Sequence, residues 1–126
     1  MVVNITEVIT DENGLTYEIN NNDFKARIIK SPKVHGDLLI KRVYYYRNWK
    51  IFLLSDDSEI SEIIQKAFSN SAIKSIEIPS HVKQISEFTF SNCKQLKAVT
   101  FSRNSELLRI NQNAFSYSSI ENINIP

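Results

Sequence analysis

A short, strand-rich solenoid of stacked repeats, preceded by an antiparallel cap, is the fold that this sequence predicts. Three observations predict it. A segment of the chain recurs in order at a fixed offset, each period carries one phenylalanine at the same place, and the apolar residues of each period end in strand-type alternation.

The recurrence is direct. Residues 52–79 align without a gap on residues 99–126 at an offset of 47, and 13 of the 28 pairs are identical. Ordinary residue frequencies would give about two. The identities include Ser58-Glu59, Ile63, Gln65, Ala67-Phe68-Ser69, Ser71, Ile73, Ile76 and Ile78-Pro79, which recur at Ser105-Glu106, Ile110, Gln112, Ala114-Phe115-Ser116, Ser118, Ile120, Ile123 and Ile125-Pro126. A third copy lies between them. Ile63, Ile85 and Ile110 correspond, as do Phe68, Phe90 and Phe115, with spacings of 22 and 25; Ile73, Leu96 and Ile120 are spaced 23 and 24. The unit is about 23 residues, with a shorter turn after Ile78-Pro79 and a longer one after Phe101-Ser102.

Within the unit, Ile73-x-x-Ile76-x-Ile78 places its last two isoleucines on one face of a strand. Val82-x-x-Ile85 returns the chain. The pairs Ala67-Phe68, Thr89-Phe90 and Ala114-Phe115 put one ring per unit at the same height, so stacked units should form a phenylalanine spine. A single unit cannot bury its own apolar face and needs neighbours on both sides. Ser58–Phe68 is the one helical candidate of any length, and Gln65–Ser69 is expected to form a helical turn. About three units therefore occupy residues 51–126, built of short strands and short helical or 3-10 turns.

This pattern resembles the BspA-like leucine-rich repeats, whose unit runs roughly L-x-x-I-x-I-P-x-x-V-x-x-I-x-x-x-A-F-x-x-C. Ile73–Pro79, Val82, Ile85, Phe90 and Cys93 match it, while Ser71 and Ser118 stand in place of the cysteine, Thr89 in place of the alanine and Ser102 in place of the proline. The resemblance covers Phe52–Pro126, and Leu15–Lys50 look like the non-repeat segment of trichomonad surface members. It implies a right-handed leucine-rich-repeat solenoid, a surface location, adhesion or binding of an extracellular host protein, and no catalytic residues. An intracellular scaffold, or a truncated product without its own role, is the alternative.

Residues 1–50 do not follow the period and read as a β-meander. Val8–Thr10 and Leu15–Ile19 flank Asn13-Gly14, a hairpin signal. Phe24–Ile29, Asp37–Ile40 and Tyr44–Leu54 read as further strands, with Ser31–Gly36 as a loop. The expected role of the meander is to cap the first unit. At the other end the last unit stops at Ile125-Pro126, immediately after its strand. That end is expected to be uncapped, and so to fray, to be continued by further repeats, or to associate with a second chain.

Composition narrows the function classes. Fifteen basic and 14 acidic residues leave a net charge of +1, which gives no electrostatic footprint for nucleic acid. Two glycines in 126 residues leave little for phosphate-cradling loops. One cysteine excludes an internal disulfide and a multi-cysteine zinc site. No basic n-region opens the chain, and no apolar run is long enough for insertion into a membrane.

The expectation is accordingly a non-enzymatic module with no cofactor and no metal site. His35 and His81 lie far apart with no ligand at metal spacing, and read as loop residues. Cys93 falls on the small buried slot of the repeat. The outward ladder of the strands, Ser75, Glu77, Ala98, Thr100, Asn122 and Asn124, is the expected partner-binding face. Tyr44, Tyr46 and Trp49 form an aromatic patch that serves either a partner or the core of the cap. Asn4-Ile5-Thr6 matches a glycosylation sequon, and Asp56–Glu59 reads as a solvated acidic turn.

Overall fold

The computed structural model describes residues 6–20, 25–38, 40, 43–47, 50–54 and 60–126. Eleven strands and a series of tight turns make up these residues, with no helix among them.

The chain opens on a hairpin of β1 (Thr6–Thr10) and β2 (Thr16–Asn20), paired antiparallel with Thr10 opposite Thr16. Asp11 organises the turn. Its carboxylate accepts the amides of Asn13 and Leu15 at 2.9 and 3.0 Å, and its carbonyl accepts that of Gly14 at 3.1 Å. Gly14 sits at φ +83°, and a Cβ there would lie 3.1 Å from the Lys33 backbone. The turn thus needs glycine for both conformation and space.

β3 (Ala26–Ile28) is the junction of two architectures. On one side it pairs antiparallel with β2, and on the other it pairs parallel with β7 (Ile60–Ile63). A second sheet holds β4 (His35–Leu38), β8 (Ala72–Ile78) and β10 (Ala98–Phe101), all parallel. A third element of the same kind pairs β9 (Gln84–Ile85) with β11 (Arg109–Ile110), again parallel. Parallel stacking therefore begins at residue 26 and not after residue 50. The segment β3–turn–β4 occupies the place that β7–turn–β8 occupies in the next unit. Its turn is closed by Ser31, a fully buried serine whose hydroxyl accepts the Thr16 amide at 2.9 Å and donates to the Ile29 carbonyl at 2.8 Å.

Three other expectations need correction. Ser58–Phe68 is not helical over its described part: Ile60 and Ile63 are both buried and pair with Ala26 and Ile28 of β3, so tertiary pairing overrides the local pattern. Gln65–Ser69 is not a helical turn. Ala67, Ser69 and Ser71 donate to the carbonyls three residues back, but Lys66 and Asn70 take φ of +62° and +64°, which breaks the run into separate turns. Tyr44–Leu54 is two strands, β5 (Val43–Arg47) and β6 (Lys50–Leu54), paired antiparallel, because the apolar run folds back on itself.

The left-handed positions repeat with the units. Lys66, Phe88 and Asn113 correspond, as do Asn70, Asn92 and Tyr117, and all have φ between 56° and 64°. Between each pair the backbone reaches across to the following unit: Phe68 donates to Thr89 at 3.0 Å and Asn70 to Ser91 at 2.9 Å, then Phe90 to Ala114 and Asn92 to Ser116 at 2.8 Å. The turns are thereby joined by a hydrogen-bonded ladder of their own. This satisfies backbone groups that the phenylalanines carry into the interior.

The core runs the length of the stack. Ile28, Ile63 and Ile85 line one wall, Ile73 with Leu96 and Ile76 with Val99 the other, all buried. The phenylalanine spine is present: Phe68 and Phe90 lie 5.5 Å apart between ring centroids, Phe90 and Phe115 5.2 Å apart with planes 4° from parallel. Burial declines toward the C-terminal unit, where Ile110, Phe115, Ile120 and Ile123 are half-buried and Ile125 is 58% exposed. The strand expected over Ile120–Ile125 does not form, so its residues have no pairing partner in β10.

Candidate functional site

The outward face of the β4–β8–β10 sheet carries the residues singled out by the repeat. Ala98 lies opposite Ser75 and Thr100 opposite Glu77 in the parallel register, with Val99 and Ile76 turned inward between them. Glu77, Ala98 and Thr100 are exposed and Ser75 is half-buried. Asn122 and Asn124 are exposed too, but they lie on no strand, so four of the six predicted residues share one paired face and two do not. Sequence reasoning missed a fifth member, Asp37. β4 brings it opposite Ser75, whose hydroxyl donates to the Asp37 carboxylate at 2.7 Å. The spacing of residues 26–38 carries no Ala-Phe pair, so the period gave no sign of it.

Tyr44 and Tyr46 lie on β5, opposite Leu53 and Ile51 of β6. Trp49, Asn4-Ile5 and Asp56–Glu59 fall outside the described residues.

His81 is more than an isolated loop residue. Its Nδ1 contacts the Glu106 carboxylate, 25 residues on, because the long repeat spacing sets these positions side by side in consecutive units. Glu106 also donates its amide to the Ser80 carbonyl at 2.8 Å. The spacing of 25 shared by Ile85 and Ile110 was the signal that pairs them. His35 places Nδ1 3.3 Å from the Lys33 carbonyl. Among the described residues no three of His, Cys, Asp or Glu gather where they could hold a metal ion.

Cys93 is fully buried. Its thiol lies 3.0 Å from the Phe68 carbonyl and 3.7 Å from the Ser71 hydroxyl, and burial pushes its pKa above the ordinary thiol value. A thiol kept protonated and covered is a packing group, bridging one unit to the next. Tyr17 is buried as well, and desolvation together with the nearby Asp11 charge raises its pKa strongly.

A groove of about 770 Å³ runs beside β7 and β9. Ser61 and Glu62 line one bank, His81, Lys83 and Gln84 the other, with Leu108 and Arg109 beyond. A row of paired polar residues crosses the same strands: Arg27 lies 2.9 Å from Glu18 and 3.8 Å from Glu62, and Asn111 donates to Gln84 at 3.1 Å. Among the described residues no helix is long and apolar enough to cross a membrane.

Comparison with known proteins follows the same lines. The family model for the BspA type leucine rich repeat region matches residues 17–126 in six copies, entering within β2. No curated protein matches the chain. A solved structure, a leucine rich cell surface protein from Faecalibacterium prausnitzii A2-165, is similar at 25% identity with a TM-score of 0.60 over 91% of this chain. The chain spans 30% of that protein's length. The pneumococcal vaccine antigen PcpA is similar over 96% of this chain and 50% of its own, at 13% identity and a TM-score of 0.41. With a family model covering everything from β2 onward, and with parallel strands repeating in the register that the repeat requires, this chain belongs to the BspA type leucine rich repeat family.

Proposed function

We propose that the chain is a non-catalytic protein-interaction module of a cell-surface solenoid, docking its partner on the outward face of β4, β8 and β10. The observation that carries this reading is the in-register alignment of Asp37, Ser75 and Ala98 in one row, with Glu77 and Thr100 in the next. Parallel stacking holds these residues at fixed spacing on a backbone already ordered before binding, which is how repeat proteins use their faces. The similarity to a leucine rich cell surface protein supports the location, and an extracellular protein is the partner class that fits it.

Photo-crosslinking tests it. A photoreactive amino acid replacing Thr100 should capture a protein saturably, and excess unlabelled chain should compete the adduct away. Crosslinks that resist competition, or that form equally from a control position such as Lys94, would refute the assignment of the face. An antibody binding to intact cells separates surface display from an internal scaffold.

A further inference from the structure

We propose that the groove between β7 and β9 is a second docking site, which takes an extended acidic peptide bearing an apolar side chain. The proposal rests on the protein-interaction reading above and places a distinct partner chemistry on a different surface. It starts from a break in the stacking. Ile60 and Ile63 of β7 correspond to Val82 and Ile85 in the next unit, yet the two segments belong to different sheets. β3 is bonded to β7 and β9 to β11, but among the described residues no backbone hydrogen bond joins β7 to β9. The units are held at the far end of the gap by the Ser86 hydroxyl, which donates to the Ile63 carbonyl at 3.3 Å. From there the gap opens toward Ser61 and His81 into the groove of about 770 Å³. Strand edges bordering a gap are what an extended backbone pairs with.

The charges select the ligand. Lys25, Lys83 and Arg109 line the groove against two carboxylates, Glu62 and Glu106. Both carboxylates are engaged, Glu106 by His81 and Glu62 by Arg27. Neither Lys83 nor Arg109 has an ion-pair partner among the described residues. They are held close together, because the Lys83 carbonyl accepts the amides of Leu108 at 2.7 Å and Arg109 at 3.4 Å. The same contact fixes Leu108 at the rim with 79% of its surface exposed, a large apolar side chain beside two cations. Carboxylates answer Lys83 and Arg109, and an apolar side chain answers Leu108. A sulfated polysaccharide would use the cations and leave Leu108 without a role, so the peptide is the better fit.

The test uses the full chain and a dye-labelled synthetic heptapeptide of alternating glutamate and leucine, read by fluorescence anisotropy. Saturable binding is expected. It should weaken at least tenfold in Lys83→Glu/Arg109→Glu and severalfold in Leu108→Ser, and remain unchanged in Lys94→Ala, an exposed lysine that does not line the groove. Lys83→Gln/Arg109→Gln repeats the test in case charge reversal disturbs folding, which circular dichroism checks. Three results would each overturn the proposal: no saturable binding, equal binding of the lysine-for-glutamate peptide, or tighter binding of a heparin hexasaccharide that ignores Leu108→Ser. A chain that captures a partner through Thr100 but binds no peptide refutes the groove while the reading of the sheet face stands.

Discussion

Truncating the spine at two heights separates a stacked interior from a set of independent turns. Phe90 is fully buried and has a ring on each side, at 5.5 Å and 5.2 Å. Phe115 is half-buried and has one. Removing a buried phenylalanine ring costs about 3–5 kcal/mol in lost transfer energy and residual cavity, and each ring neighbour adds about 0.5–1.5 kcal/mol beyond burial. Phe90→Ala should therefore fall near the top of that range, about 4–5 kcal/mol. Phe115→Ala, with a partly exposed ring and one ring neighbour in place of two, should cost less, about 2–3 kcal/mol by the same reasoning. Domains of this size have about 5–15 kcal/mol in all, so Phe90→Ala removes between about a third and nearly all of it, and Phe115→Ala a smaller share. Urea unfolding followed by far-ultraviolet circular dichroism gives both values, with Phe68→Ala as a second interior point. A cost for Phe115→Ala equal to or above that for Phe90→Ala would refute the reasoning, since it would mean that the rings do not share a common stack.

Three further outcomes follow from single residues. Among the described residues the buried Tyr17 hydroxyl has no hydrogen-bond partner, so Tyr17→Phe should match or exceed the parent in stability at pH 7. Because the folded pKa of Tyr17 lies above its ordinary value of 10.0, its contribution is complete below pH 10 and declines as pH rises from there toward the folded value. The parent should lose about 1.4 kcal/mol more per pH unit than Tyr17→Phe in that window, and parallel curves would contradict it. Lys66 is exposed at φ +62°, so Lys66→Gly should stabilise by up to about 1 kcal/mol and Lys66→Val should destabilise by more, as read in thermal melts. The Cys93 thiol should react with an aromatic disulfide reagent only as fast as the chain unfolds; reaction in the folded state would show that the slot between Phe68 and Ser71 is open.

The regular part of this fold is legible because each unit repeats the same physical demand. Ile63, Ile73, Ile76, Ile78 and Phe68 must each find a counterpart one unit on, and the period shows where. What escapes the period is what does not recur. The first unit, Ala26–Leu38, closes its turn with the buried Ser31 and with Val34 in place of an alanine–phenylalanine pair, so the period does not show its membership and the strand pairing does. Asparagine, which tolerates the left-handed conformation, fills Asn70, Asn92 and Asn113, but Lys66, Phe88 and Tyr117 fill the corresponding positions of other units, so composition marks the turns only in part. β7 carries isoleucines at a spacing of three that suits a helix equally well, and its partner strand decides the outcome. For the site, Ser75, Glu77, Ala98 and Thr100 followed from alternation along the strands. Asp37 and the groove did not, because both depend on which units are bonded to which.

The central claim is that this chain works by presenting outward side chains of stacked repeats to a protein. It is tested most directly by the Kd of the partner captured through Thr100, measured for the parent, Glu77→Ala/Thr100→Ala and Lys83→Ala/Arg109→Ala, all with unchanged melting. The account predicts at least a tenfold loss of affinity for the sheet-face pair. Equal affinity for the parent and both variants would contradict it.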